Sequence, residues 1–120
     1  MAENDEAPLD LSRLQAIAPN NVEFHERLLE LYLGESRKRL QALGRAVAED
    51  DLEGIRREAH AIKGSAGNVG ARRVAEAAAR LRAAADGGER AACRSCWADL
   101  RSEMEAADGW IRDHLGHTGR

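Results

Sequence analysis

"LEGIRREAHAIKGSAGNVGARRVAEAAARLRAAADGG", Leu52 to Gly88, is the stretch that decides the fold. Its apolar residues recur at alternating steps of three and four, the spacing of one buried helix face. Gly70 divides the stretch, because glycine commonly ends a helix, and Asp86-Gly87-Gly88 breaks it again. We therefore predict two amphipathic helices joined by a brief turn. Their buried positions are Leu52, Ile55, Ala59, Ile62, Ala66 and Val69, then Ala71, Val74, Ala78, Leu81 and Ala85.

The flanking segments predict three more helices. "LDLSRLQAIAP" predicts a short helix that Pro19 ends, and residues 20–50 predict a long one. Asn20 is the predicted N-cap of the long helix, with Glu23 as its capping-box partner. Either Asp50 or Asp51 can cap the helix that starts near Leu52. A last helix is predicted from residue 89, with these inward positions: Cys93, Cys96 or Trp97, Leu100, Met104, Ala107, Ile111 and Leu115.

The composition agrees with an all-α protein, because Ala, Leu, Arg and Glu are abundant while aromatic residues make up only 3% of the 120 residues. Short connections between helices favour antiparallel neighbours. We therefore predict an antiparallel up-down-up-down four-helix bundle with a short extra N-terminal helix. The predicted domain covers residues 9–115, between disordered tails at residues 1–8 and 116–120.

Charge and hydropathy exclude several functions. The formal net charge of −3 gives no reason to expect nucleic-acid binding. No apolar run approaches the roughly 20 residues that cross a membrane. The acidic start "MAENDEAPLD" does not resemble a signal peptide. We therefore expect a cytoplasmic protein, a monomer, whose two cysteines stay reduced.

His60 is the most reactive side chain of the central stretch, one position away from the buried stripe. Its neighbours three and four positions away are Arg56, Arg57, Lys63 and Gly64. Gly64 and Gly67 lie on its flank, although glycine in a helix costs about 1 kcal/mol relative to alanine. A solvated surface histidine would need neither glycine. The pattern favours a bare backbone that another surface approaches.

The run "HAIKGSAGNVG" resembles the signature of histidine-containing phosphotransfer (Hpt) domains of two-component phosphorelays. In that family a histidine is followed by an apolar residue at two, lysine at three, glycine at four, a small residue at five and glycine at ten. The matching positions here are Ile62, Lys63, Gly64, Ser65 and Gly70. The order of the helices is also similar, so the resemblance covers about Leu9 to Leu115.

The resemblance implies that His60 accepts a phosphoryl group from an aspartate of a receiver domain and passes it to another. Lys63 would stabilise the phosphoryl oxygens, with Arg56 and Arg57 assisting or steering the encounter. The partner-binding residues would be Arg56, Arg57, Gly64, Ser65 and Gly67. The receiver would supply Mg²⁺, and we expect this chain to bind no cofactor or metal. Because the sequence has no nucleotide-binding signature, we expect a phosphocarrier without ATP-dependent kinase activity.

Two alternatives remain at this point. Cys93 and Cys96, with His114 and His117, have a spacing that a zinc site could use, although cysteines on an inward helix face usually serve as small hydrophobes. The second alternative is a helical docking or inhibitor module for a kinase or receiver, in which His60 has no chemical role.

Overall fold

Alanine-rich amphipathic segments between Pro19, Asp50, Gly70 and Gly88 form the helices of this protein. The computed structural model describes residues 7–116, and in that range the regular structure is entirely helical. The helices are α1 (Ser12–Ile17), α2 (Val22–Ala48), α3 (Leu52–Asn68), α4 (Arg72–Asp86) and α5 (Arg90–Gly116). Within these residues, no helix is both long and apolar enough to cross a lipid bilayer.

The four long helices pack around one apolar core. α2 contacts α3, α3 contacts α4, α4 contacts α5, and α5 returns to α2. The predicted stripes of α3 and α4 are confirmed as buried, except that Leu52 is only half-buried. On α5, Cys93 is buried, whereas Cys96 and Trp97 are both half-buried. The small alanines of α4 let its backbone lie close to both neighbours, which places the surfaces of α3 and α4 side by side.

The structure shows which residues cap the N-termini of α2 and α3. It corrects the predicted cap of α2 and decides between the two candidates for α3. Asn20 is not the N-cap of α2. It has a positive φ of 60°, and Asn21 caps the helix by accepting a hydrogen bond of 3.1 Å from the N–H of Phe24. A cap needs an extended backbone that aims its side chain back at the first turn, which a left-handed residue does not provide. For the same reason Asp51 caps α3, while Asp50 has a φ of 54°.

Gly70 joins the N-terminal segment to the turn between α3 and α4. Its φ of 77° lies in the left-handed region, which confirms it as the helix terminator. Its carbonyl accepts a hydrogen bond of 2.8 Å from the N–H of Asp10, and neighbouring Leu9 is buried. A Cβ at Gly70 would lie 2.2 Å from the carbonyl oxygen of Asp10. Of the predicted tails, residues 1–6 and 117–120 lie outside the described residues, and Gly116 is the last residue of α5.

Candidate functional site

His60 lies near the middle of α3 with its side chain exposed. Its position follows from the buried stripe, because Ala59 and Ile62 are 0% and 2% exposed and anchor the opposite side of the turn. A step of about 100° per residue then turns His60 out of the core. The predicted placement of His60 on the solvent flank is confirmed.

Arg82 of α4 contacts the His60 ring directly. Its Nη1 lies 2.7 Å from Nδ1 of His60. A guanidinium has donors only, so Nδ1 is the acceptor and its lone pair points at Arg82. In the neutral imidazole the ring proton is then on Nε2, the nitrogen on the far side of the ring from the guanidinium.

Spacing within one helix does not predict Arg82 as a neighbour of His60, because the two residues are 22 positions apart in the chain. A signal was nevertheless present in the spacing. If α3 and α4 pair as neighbours across Gly70, residues at similar distances from that turn lie side by side. His60 is ten residues before Gly70, and Arg80 and Arg82 are ten and twelve residues after it. The contact itself selects Arg82.

Arg56, one turn before His60, is engaged by acidic side chains. Its Nη1 lies 3.3 Å from Oδ1 of Asp86 at the end of α4, and its other terminal nitrogen pairs with Glu53. The hydrogen bond to Asp86, together with Glu53, raises the pKa of the Arg56 guanidinium. Because two carboxylates already neutralise it locally, Arg56 links α3 to α4 more than it adds positive charge at His60.

Arg57 and Lys63 differ in direction. Arg57 is exposed and lines a shallow groove between α3 and the end of α2, together with Arg45 and Glu49. Lys63 is exposed one turn beyond His60, and no hydrogen bond or ion pair of its ammonium group is found among residues 7–116. Arg82 is therefore the cation that contacts the His60 ring, and Lys63 is an exposed cation one turn further along α3.

Gly64 and Gly67 leave the surface beyond His60 bare. Both are exposed, and a Cβ built on either would have no atom within 4 Å beyond its own local backbone. Packing inside this chain thus does not require glycine at these positions, in contrast to Gly70. Ser65, between them, is half-buried. Gly64 and Gly67 together form an uncovered surface beside His60, here called the glycine strip, which is open to another molecule.

The residues that could have formed a zinc site, Cys93, Cys96 and His114, do not come together. Cys93 is buried, and burial raises the pKa of its thiol, which disfavours the thiolate that binds zinc. Cys93 and His114 lie on the same helix 21 residues apart, a separation of about 31 Å. No group of three or more potential metal ligands occurs within residues 7–116, and His117 is outside that range. Within the described residues, Cys93 and Cys96 therefore do not meet His114 in a common site.

The domain is all-helical and presents an exposed histidine midway along a core helix, beside a cation and bare glycines. This arrangement is the one that the resemblance to histidine phosphotransfer domains predicts. The Hpt domain family matches residues 27–110, and the chain belongs to this family. Family membership gives it a histidine phosphotransfer role in a phosphorelay, and Hpt domain proteins are phosphocarriers rather than kinases.

Among solved structures, the chain is similar to the crystal structure of histidine-containing phosphotransfer protein B (HptB) from Pseudomonas aeruginosa PAO1. The TM-score is 0.83 at 23% sequence identity, and the alignment covers 91% of this chain and 95% of that chain. This likeness shows the shared fold. A comparison with curated protein sequences gave no match.

Proposed function

We propose that His60 is the phosphorylated residue and that it carries a phosphoryl group reversibly between aspartates of receiver domains. The observation that supports this most is its exposed position on α3, with Arg82 on one ring nitrogen and a glycine strip beside it. Membership in the Hpt domain family supports receiver domains as the partners.

Nε2 is the nitrogen that forms the bond to phosphorus, because Arg82 lies on the Nδ1 side of the ring. The attacking ring is the neutral tautomer that carries its proton on Nδ1, which leaves the lone pair on Nε2. Nε2 attacks the phosphorus of an aspartyl phosphate, the bond from phosphorus to the carboxylate oxygen breaks, and the carboxylate takes that electron pair. The Nδ1 proton of the resulting imidazolium then passes to solvent. The reverse reaction returns the phosphoryl group to a receiver carboxylate. Such in-line transfer depends mainly on positioning and charge neutralisation.

Lys63 supplies charge neutralisation at the phosphoryl group. Its ammonium is exposed on the same flank, one turn from His60, and a cation beside phosphoryl oxygens forms charge-assisted hydrogen bonds. The receiver contributes Mg²⁺ and its own acidic residues, and this chain supplies no cofactor. A basic edge formed by Lys63 and Arg82 complements such an acidic pocket.

The glycine strip allows the receiver to approach. Gly64 and Gly67 leave the helix backbone uncovered next to His60, so an incoming active site meets no side chain there. Ser65 adds only a small side chain at the edge of this strip, and Arg57 lies at the border toward α2.

The phosphotransfer site lies on a four-helix bundle whose helices alternate in direction. The short connections at residues 69–71 and 87–89 and the ring of helix contacts support the alternating course. The carrier acts in the cytoplasm as a monomer and receives its phosphoryl group from receivers, without kinase activity of its own.

Replacing His60 with Gln tests the proposal. Because His60 is exposed, we expect a change in unfolding free energy below about 0.5 kcal/mol, while phosphoryl uptake from a phosphorylated receiver is abolished. The matched control is His114→Gln near the end of α5, which should be labelled like the wild type. Normal labelling of His60→Gln would refute the proposal. If that variant also bound and inhibited the receiver as the wild type does, the docking alternative would hold instead.

A further inference from the structure

Arg82 is held against His60 by the packing of α4. The adjacent Leu81 is fully buried, and Ala84 and Ala85 are buried on the next turn, so the rotation of α4 is set by the core. Arg82 itself is half-buried, with its guanidinium at Nδ1 of the ring. The contact is therefore a consequence of how α3 and α4 pack.

The hydrogen bond from Arg82 to Nδ1 is more favourable in the phosphorylated His60 ring than in the unphosphorylated ring that is ready to attack. Before attack, Nε2 needs a free lone pair, and the neutral tautomer with that lone pair carries its proton on Nδ1, facing the Arg82 donor. After Nε2 has bonded to phosphorus and the Nδ1 proton has passed to solvent, Nδ1 of the neutral phosphorylated ring has a lone pair and no proton. The guanidinium can then donate to Nδ1 without any change in the position of either group.

The state of Nδ1 also controls how fast a phosphorylated imidazole loses its phosphoryl group to water. Water attacks phosphorus, the bond to Nε2 breaks, and Nε2 takes the electron pair. When Nδ1 carries a proton, the ring leaves as neutral imidazole; without that proton it would leave as a high-energy anion. A proton on Nδ1 therefore accelerates hydrolysis, with inorganic phosphate and imidazole as the products.

We propose that Arg82 is a positioning residue that prolongs the life of phosphorylated His60 by occupying Nδ1 in place of a proton. This inference rests on the proposed function. The charged residues within one turn of His60 on α3 are Arg56, Arg57 and Lys63, and Asp86 follows Arg82 by one turn on α4. Asp86 is bound to Arg56, so the charge facing Nδ1 is that of Arg82.

The experiment follows the loss of phosphohistidine from four proteins: the wild type, Arg82→Ala, Arg82→Lys and the control Arg80→Ala. Arg80 is exposed on the same helix, about 200° around its axis from Arg82. Each protein is phosphorylated with phosphoramidate, the donor is removed, and the half-life is measured by ³¹P NMR between pH 5 and pH 9.

We expect Arg82→Ala to shorten the half-life at pH 7 about fivefold, the effect of losing one exposed charge-assisted hydrogen bond. Its acid-accelerated limb should move to higher pH. Arg82→Lys should recover part of the lifetime, since a lysine can still donate, and Arg80→Ala should match the wild type. An unchanged half-life and pH profile in Arg82→Ala would overturn the inference.

Two further measurements separate this inference from other outcomes. Nitrogen-15 NMR of the unphosphorylated ring should show the proton on Nε2 in the wild type and a redistribution toward Nδ1 in Arg82→Ala; identical spectra would count against the contact itself. If phosphoramidate leaves the wild-type His60 unphosphorylated, the proposed function fails, and the inference fails with it. A wild type that is phosphorylated, with an Arg82 variant that behaves identically, removes the inference alone.

Discussion

Gly64 tests the claim that the surface beside His60 is bare for the benefit of a partner. Gly64 is exposed inside α3, and an added Cβ would have nothing within 4 Å. Glycine in a helix interior costs about 1 kcal/mol relative to alanine, so Gly64→Ala should raise the free energy of unfolding by about that amount. For a domain of this size, that gain corresponds to an increase in Tm of about 4 °C.

Gly64→Gln tests the functional half of the same claim. The new side chain would stand one turn, or about 6 Å along the axis, from His60. We expect the fold to remain, because the position is open. Transfer from a phosphorylated receiver should fall by about tenfold or more, which corresponds to a loss of about 1.4 kcal/mol in the transition state. Uptake from phosphoramidate should change less, because a small donor needs less room.

Gly34→Gln is the matched control for this comparison. Gly34 is also an exposed helical glycine with nothing within 4 Å of an added Cβ, but it lies on α2. The assay measures both donors on all variants, with thermal unfolding alongside. Wild-type transfer from the receiver to Gly64→Gln would refute the steric explanation. Destabilisation by Gly64→Ala would show instead that packing requires the glycine.

Three other substitutions test the framework around the site. Gly70→Ala should cost about 3 kcal/mol or more in urea unfolding, because its left-handed backbone is strained for alanine and a Cβ would collide with Asp10; an unchanged midpoint would contradict this. Cys93→Ala should cost about 1 kcal/mol while retaining phosphotransfer, and stoichiometric zinc lost on this substitution would revive the metal site. Burial raises the pKa of Asp108, so folding stability falls as pH rises from the usual carboxyl value through the folded one. Asp108→Asn should therefore gain stability over the wild type at pH 7 and lose that advantage toward pH 4, and a difference independent of pH would disprove it.

The spacing of residues along the chain was sufficient to predict the buried helix faces, the end of α3 and the exposure of His60. The stripes of α3 and α4 follow from helical periodicity, since a side chain three or four positions away lies on the same face wherever the helix packs. Gly70 was recognisable because ending a helix in the left-handed region favours glycine. The exposure of His60 follows from the burial of Ala59 and Ile62 on the same helix.

Neighbouring residues of similar chemistry could not be distinguished in this way. Asn20 and Asn21 have the same side chain, as do Asp50 and Asp51, and the choice of cap depends on which residue takes the left-handed backbone in the turn. That choice is made by how the chain must turn to bring α2 and α3 onto the core.

Only tertiary packing decided what surrounds His60 in space. Whether Arg80 or Arg82 reaches the ring depends on the rotation and stagger of α4 against α3, which buried residues such as Leu81 determine. The same packing brings Asp86 to Arg56 and so removes a cation that the sequence had placed beside His60. Periodicity within one helix determines which residues share its face, whereas the pairing of two faces depends on the fit of both helices in a common core.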